Sequence, residues 1–187
     1  MKFITIFTLI VILTAIQACH NSKDSKETAE EHNDAKFSYT DHQKQDAEFL
    51  VTAAEMNLEG IMLGQLAQQN SMMIDVKELG KMIEKARKKS MTDLVALAKK
   101  KLVTIPMSPT EHSRNIFEKL KKKSGKEFDK NYCSLMVDGH KDAISAFEKE
   151  SKESNDPDIQ GWANETIPNL RLHLDYAITC KKECEKF

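Results

Sequence analysis

A chain of 187 residues with 40% hydrophobic, 6% aromatic and 30% charged side chains suits one domain better than two. Six Gly, four Pro and few aromatic residues argue against a β-sandwich or a glycine-rich nucleotide fold. With 28 basic against 29 acidic residues, a globally basic nucleic-acid binder is excluded.

The chain opens with Met1-Lys2 and an uncharged run from Phe3 to Ala18. One positive charge followed by a short apolar core is the pattern of a secretory signal, and the run is too short for the roughly 20 apolar residues of a membrane span. It ends at Ile16-Gln17-Ala18-Cys19, which resembles the lipobox of bacterial lipoproteins. Residues 1–18 are therefore expected to be a lipoprotein signal peptide and Cys19 the lipidated N-terminus, although an ordinary signal peptide containing a Cys would look similar. Acyl chains at Cys19 would hold the protein firmly on a membrane. From Cys19 to Thr40 the composition turns polar, with Phe37 the one strongly apolar side chain before Tyr39. So little apolar surface cannot offset the entropy of ordering, and a disordered tether is expected over 19–40.

Beyond the tether every apolar pattern is helical, and residues 41–187 read as an all-α, antiparallel four-helix bundle. Phe49, Ala53, Met56, Gly60, Leu63 and Ala67 form one stripe on a helix from about Asp41 to Asn70. Val76, Leu79, Ile83, Ser90, Leu94 and Leu97 form the next, on a helix ending near Lys101. Pro106 breaks the pattern, and Ser108-Pro109-Thr110-Glu111 reads as a capping box opening a short extra helix that stops near Ser124-Gly125. A third long helix, about Lys126 to Ser151, aligns Cys133, Met136, His140, Ala143 and Phe147. Asn155-Asp156-Pro157 marks a turn and a new start. The last stripe is Ile159, Ala163, Thr166, Leu170, His173, Ala177, Cys180 and Cys184, with Pro168 expected to kink its helix.

Four stretches carry a family resemblance: Phe49-Leu50 through Ala53-Ala54 to Leu63-Gly64-Gln65-Leu66-Ala67; Leu94 to Ala98; Phe128-Asp129 through Tyr132 and Met136-Val137 to His140; and Ile167-Pro168-Asn169-Leu170 to His173. Together they resemble a bacterial family of ferritin-like domains of unknown function, often labelled predicted outer-membrane proteins. The resemblance implies a ferritin-like four-helix fold and an envelope location, and no established reaction. Di-iron bundles need a Glu from each of two helices and Glu-x-x-His from the other two. Where the family often has a Glu, an Asp-His, a second Asp-His and a Glu-His, this chain has Gly60, Ala86-Arg87, Gly139-His140 and Leu172-His173. Val137 and Leu170 stand where each His would need its carboxylate. No cofactor is expected on these grounds; a weakly bound divalent metal at His140 and His173 with neighbouring Glu59 is the alternative.

Several side chains allow two readings. Arg87 shares the stripe of Ile83 and Leu94, so it is either a buried cation paired with Glu55 or Glu59, or an edge residue whose head reaches water; the second arrangement is commoner and is favoured. His140 and His173 are either hydrogen-bonded core-edge histidines, the plainer reading, or a metal- or proton-binding pair. His20, His32, His42 and His112 stand in polar surroundings and carry no signal. If the third and fourth long helices are antiparallel neighbours, equal seven-residue offsets bring Cys133 level with Cys180 whenever His140 faces His173, predicting a Cys133–Cys180 disulfide; three reduced, buried cysteines are the alternative.

The basic runs around Lys85–Lys89, Lys99–Lys101 and Lys119–Lys123 read as solvated helix faces, without the interleaved aromatics of a nucleic-acid platform. Met56, Met62, Met72, Met73, Met82 and Met91 read as core. There is no phosphate loop, nucleophile elbow or Cys-x-x-Cys pair. The expected protein is thus a non-enzymatic lipoprotein of the cell envelope, on the outer membrane with its domain in the periplasm or at the surface. Its partners would be the membrane, through the lipid, and an envelope protein; nucleic acid is not among them.

Overall fold

The computed structural model describes residues 23–37 and 41–186; the signal segment and Cys19 lie outside them. Among the described residues all regular structure is helical: α1 (Ser25–Lys36), α2 (Asp41–Asn70), α3 (Ile74–Lys101), α4 (Glu111–Lys121), α5 (Gly125–Glu153) and α6 (Pro157–Glu185). Short loops make antiparallel hairpins of α2 with α3 and of α5 with α6, and the hairpins pack through α2 on α5 and α3 on α6. At one end the α2–α3 loop meets the start of α5, where Ser71 donates to Asp129 at 2.5 Å, and the end of α6, where Met73 touches Cys184. At the other end Lys101 pairs with Asp158. Packed neighbours therefore all run antiparallel, while α3 and α5 point the same way. That direction forces the chain after α3 to return along the whole bundle, and residues 102–124, including α4, make the crossing over α2 and α5.

The caps explain the boundaries. Thr110, rather than Ser108, caps α4 by accepting from the Ser113 amide, and Asp156 caps α6 by accepting from the amides of Asp158 and Ile159. Helix α6 continues unbroken through Pro168. The helices bury their stripes in two apolar clusters. One, around Leu63, Leu79, Phe128, Tyr132 and Cys180, fills the end with the α2–α3 loop. The other, around Phe49, Leu94, Phe147 and Ile159, fills the opposite end, where Phe49, Phe147 and Trp162 pack at centroid distances of 5.0–5.8 Å. Gly60, Arg87, His140 and His173, one from each long helix, lie between the clusters.

Two expectations need correction here. The stretch expected to be a disordered tether contains α1, ordered over Ser25–Lys36 and packed on α2. Apolar burial does little for it; Ala29 is its one buried apolar residue. Hydrogen bonds hold it instead. Asn33 both donates to the Thr104 carbonyl and accepts from the Thr104 amide, each at 2.8 Å. Asp24 caps α1 and also accepts from the Glu111 amide, while Lys26 pairs with Glu55 at 2.7 Å. The crossover has backbone groups that no helix satisfies, and α1 supplies partners for them. The methionines, read as core, are so in part: Met91 is buried, Met56, Met73 and Met82 are half-buried against the two clusters, and Met72 is 80% exposed. The lysines of the basic runs mostly face water, with Lys88, Lys89 and Lys123 in i,i+4 ion pairs, but Arg87 within the first run is buried.

Helices α2 and α3 touch backbone to backbone. A Cβ on Gly64 would lie 2.6 Å from the Gly80 carbonyl oxygen, and one on Gly80 would lie 2.7 Å from the Gly64 oxygen and 2.9 Å from Ala67 Cβ. Helix propensity alone would make Gly80→Ala stabilising by about 1 kcal/mol. The overlap with backbone should reverse the sign, and we expect a net loss of about 1–3 kcal/mol by urea denaturation. Asn33→Ala should cost about 1–3 kcal/mol by stranding the Thr104 groups, and limited proteolysis should then cut α1 first.

Candidate ligand site at the bundle centre

The layer between the two apolar clusters is polar because three helices each place one nitrogen-bearing side chain there. Arg87 is 6% exposed, His140 2% and His173 6%. Arg87 fits because α2 has no side chain opposite it: a Cβ on Gly60 would stand 2.8 Å from Arg87 Cγ. The edge placement favoured for Arg87 is therefore corrected. A glycine on the facing stripe opens the volume, and the guanidinium stays inside.

The expected partners of that cation do not reach it. Glu55 is taken by Lys26 and by the Thr110 hydroxyl, each at 2.7 Å. Glu59 accepts from Ser113 at 3.0 Å and acts on Arg87 only through space. Among the described residues no carboxylate forms an ion pair with Arg87, and its Nε has no hydrogen-bond partner. Burial accordingly lowers the guanidinium to about 10, so it remains charged at neutral pH. Burial raises Glu59 above the ordinary carboxylate range.

The two histidines face each other across α5 and α6, with ring centroids 5.7 Å apart and planes at 85°. Burial, then the charge of Arg87, lowers His140 to about 3 and His173 to about 4. Both are neutral at physiological pH. His140 Nδ1 lies 2.7 Å from the Met136 carbonyl, which only accepts, so the proton sits on Nδ1 and Nε2 carries a free lone pair. That Nε2 and His173 Nδ1 are buried without partners.

Two cavities flank the layer. One of 210 Å³ lies between α2, α4 and α5 and is lined by Glu55, Glu59, His112, Arg87 and His140. The other, of 400 Å³, opens between α3 and α6; Arg87 and His173 line it with Lys85, Trp162, Asn169 and Met82. Arg87 thus belongs to both. His112 and Trp162 were not singled out from the sequence. His112 arrives on the crossover helix, and only the long-range return of that segment brings it to the centre. Glu59 lines the first cavity but does not converge with both histidines, and among the described residues no three His, Cys, Asp or Glu side chains are arranged to hold a metal ion.

The cysteines stand apart, in the apolar cluster toward the α2–α3 loop. The expected Cys133–Cys180 disulfide is not formed: Cys133, Cys180 and Cys184 are free, buried thiols. Cys133 Sγ lies 3.7 Å from Cys184 Sγ, Cys180 turns its thiol to the Asp75 carbonyl at 3.6 Å, and Cys180 still stands close enough to Cys133 to act on its thiol. Cys133 is shared between two neighbours one turn apart, instead of being committed to one.

The family model for a domain of unknown function, DUF4142, matches residues 30–179. The chain belongs to the DUF4142 family. A search of the curated proteins finds no match. Among solved structures, the chain is similar to the crystal structure of a DUF305 fragment from Deinococcus radiodurans, with a TM-score of 0.64 and 15% sequence identity, over 76% of this chain and 97% of that one. At that identity the likeness concerns the fold alone. The match to DUF4142 begins inside α1, which agrees with that helix being part of the packed domain.

Two outcomes follow from the buried charges. Because His140 and His173 titrate below their ordinary value of 6.5, the unfolded chain takes up protons first as pH falls. Their contribution is full above pH 6.5 and is lost toward pH 3, so unfolding free energy should drop by roughly 5 kcal/mol between pH 6.5 and 4. The double variant His140→Leu, His173→Leu should flatten that acid limb in denaturant titrations. Arg87→Met should raise stability at pH 7 by about 1–3 kcal/mol, since it removes a buried charge that has no ion-pair partner.

Proposed function

We propose that this DUF4142 chain is a non-enzymatic binding protein of the bacterial envelope, lipidated at Cys19, whose bundle centre receives a small organic anion from the α3–α6 cavity. The single observation that carries the reading is the state of Arg87: a charged guanidinium, 6% exposed, with no ion-pair partner among the described residues, on the inner wall of a 400 Å³ cavity. A buried cation must be compensated, and a ligand carboxylate or phosphate meets that need with two parallel hydrogen bonds. His173 Nδ1 supplies a further polar contact, and Trp162 with Met82 an apolar wall. The cavity size lies in the range of small-molecule sites. The envelope placement rests on the Met1–Cys19 pattern. No helix among the described residues is long and apolar enough to cross a membrane.

A ferritin-like arrangement is supported by the single long crossover between two antiparallel hairpins. The metal centre that such bundles carry is not. Gly60 and Arg87 stand where the family pattern has a Glu and a His, and a fixed positive charge now sits beside the two remaining imidazoles. The free lone pair on His140 Nε2 is the one observation favouring a metal-binding reading, and it ranks second because Arg87 opposes any cation there.

Three measurements test the proposal. Cys19→Ala should move the protein from the membrane to the soluble fraction; continued membrane partitioning would remove the lipid anchor. In thermal denaturation, a panel of inorganic phosphate, acetate, succinate and citrate should contain an anion that stabilises the wild type, by about 2.7 kcal/mol at a hundredfold excess over Kd. Arg87→Met should lose that response. Iron, manganese or zinc retained stoichiometrically through dialysis would reverse the ranking of the two readings.

A further inference from the structure

The sulfur atoms at the α2–α3 end of the bundle form a second centre, about 10 Å along the helices from the histidine pair, since Cys133 precedes His140 by seven residues. Cys133 Sγ lies 3.7 Å from Cys184 Sγ, and Cys184 Sγ lies 3.5 Å from Met73 Sδ. They come from three separate segments: α5, α6 and the α2–α3 loop. Two sulfurs bound to one ion at about 2.3 Å each stand about 3.8 Å apart at a tetrahedral angle, so the two contacts through Cys184 match a shared ion, and rotation of the flexible Met73 side chain toward Cys133 would close the set. Both cysteines are buried, at 0% and 3% exposure, and Met73 is half-buried at the surface end, giving an entry side. A second, independent observation points the same way. Tyr132 is wholly buried beside Cys133 and Cys180, and its hydroxyl has no hydrogen-bond partner. A phenol proton without an acceptor is suited to a thiolate that forms only when a thiol gives up its proton.

We infer that Cys133, Cys184 and Met73 form a binding site for one soft monovalent cation, Cu(I). Two thiolates and a thioether are the donor set that selects Cu(I), whereas zinc favours four nitrogen or thiolate ligands. Among the described residues no three His, Cys, Asp or Glu side chains are arranged to hold a metal ion, and the third donor here is a methionine. Binding releases the two thiol protons to solvent and forms two copper–thiolate bonds and one thioether bond, with no change in oxidation state. Burial raises the Cys184 thiol, with Asp129 adding to this and Lys130 opposing it, and the neighbouring Cys180 and burial raise Cys133, so the metal itself must displace both protons. Cys180, held on the Asp75 carbonyl, stays outside the set.

The test uses the full chain with Cys19→Ser, which leaves Cys133, Cys180 and Cys184 as its thiols, in detergent, reduced and without oxygen. Cu(I) is titrated in competition with a colorimetric Cu(I) chelator. Expected are one Cu(I) per chain, an ultraviolet thiolate-to-copper absorption, and an all-sulfur shell by X-ray absorption. Met73→Leu keeps the volume and should weaken binding about tenfold or more, as should Cys184→Ser, with metal-free melting curves confirming that both fold. His140→Gln and His173→Gln should bind as the parent does. No uptake against the chelator, nitrogen or oxygen ligands in the shell, unchanged affinity in Met73→Leu, or tighter retention of Zn(II) than of Cu(I) would overturn the assignment.

Discussion

A guanidinium buried without a carboxylate in reach is the constraint around which the centre of this bundle is organised. Charge in a low-dielectric interior costs several kcal/mol unless neighbours compensate it. Here the nearest carboxylate, Glu59, acts only through space, and its own ionisation is opposed by burial. Arg87 interrupts the apolar core, dividing it into a cluster at each end. It requires a glycine on the facing helix, because any Cβ at position 60 would overlap its stem. It also adds to burial in keeping His140 and His173 neutral. Four residues, one from each long helix, thus depend on one another.

That dependence explains why a four-helix scaffold need not imply di-iron chemistry. A di-iron bundle puts carboxylates at its centre to balance metal charge. This chain puts a permanent cation there and keeps the glutamates on α2 occupied from outside, Glu55 by Lys26 and Thr110, Glu59 by Ser113. The electrostatic preference of the site is inverted: a cavity beside Arg87 attracts an anion and repels a divalent cation. The crossover makes this arrangement by carrying α4 across α2 and α5, and α1 in turn satisfies the crossover's backbone at Thr104 and Glu111.

How far the sequence could be read depended on whether an interaction was periodic. The stripes of Phe49 to Ala67 and of Cys133 to Phe147 are buried largely as a 3.6-residue period requires. His140 does face His173, the condition from which the sequence aligned the cysteine rows, because antiparallel neighbours with equal offsets align whole rows. It failed for α1, whose ordering comes from Asn33 and Asp24 binding groups roughly 70 to 87 residues away. A polar segment shows no period when its partners are distant backbone atoms. It failed again for Arg87, because the space it fills is created by Gly60 on another helix. For the cysteines it gave the neighbourhood but not the bond: row alignment brings Cys133 to α6, while side-chain direction shares it between Cys180 and Cys184.

The sequence by itself determined the all-helical class, the four long helices with a short one between the second and third, and the inward rows, because these follow from local spacing and caps. Tertiary structure decided what no local rule contains. It decided that Arg87 is inside, that Glu55 and Glu59 are spent on other partners, that His112 and Trp162 reach the central cavities, and that three sulfurs from three segments meet. Each outcome depends on which volume and which hydrogen-bond partner another helix leaves available, and that is fixed only once the helices have packed.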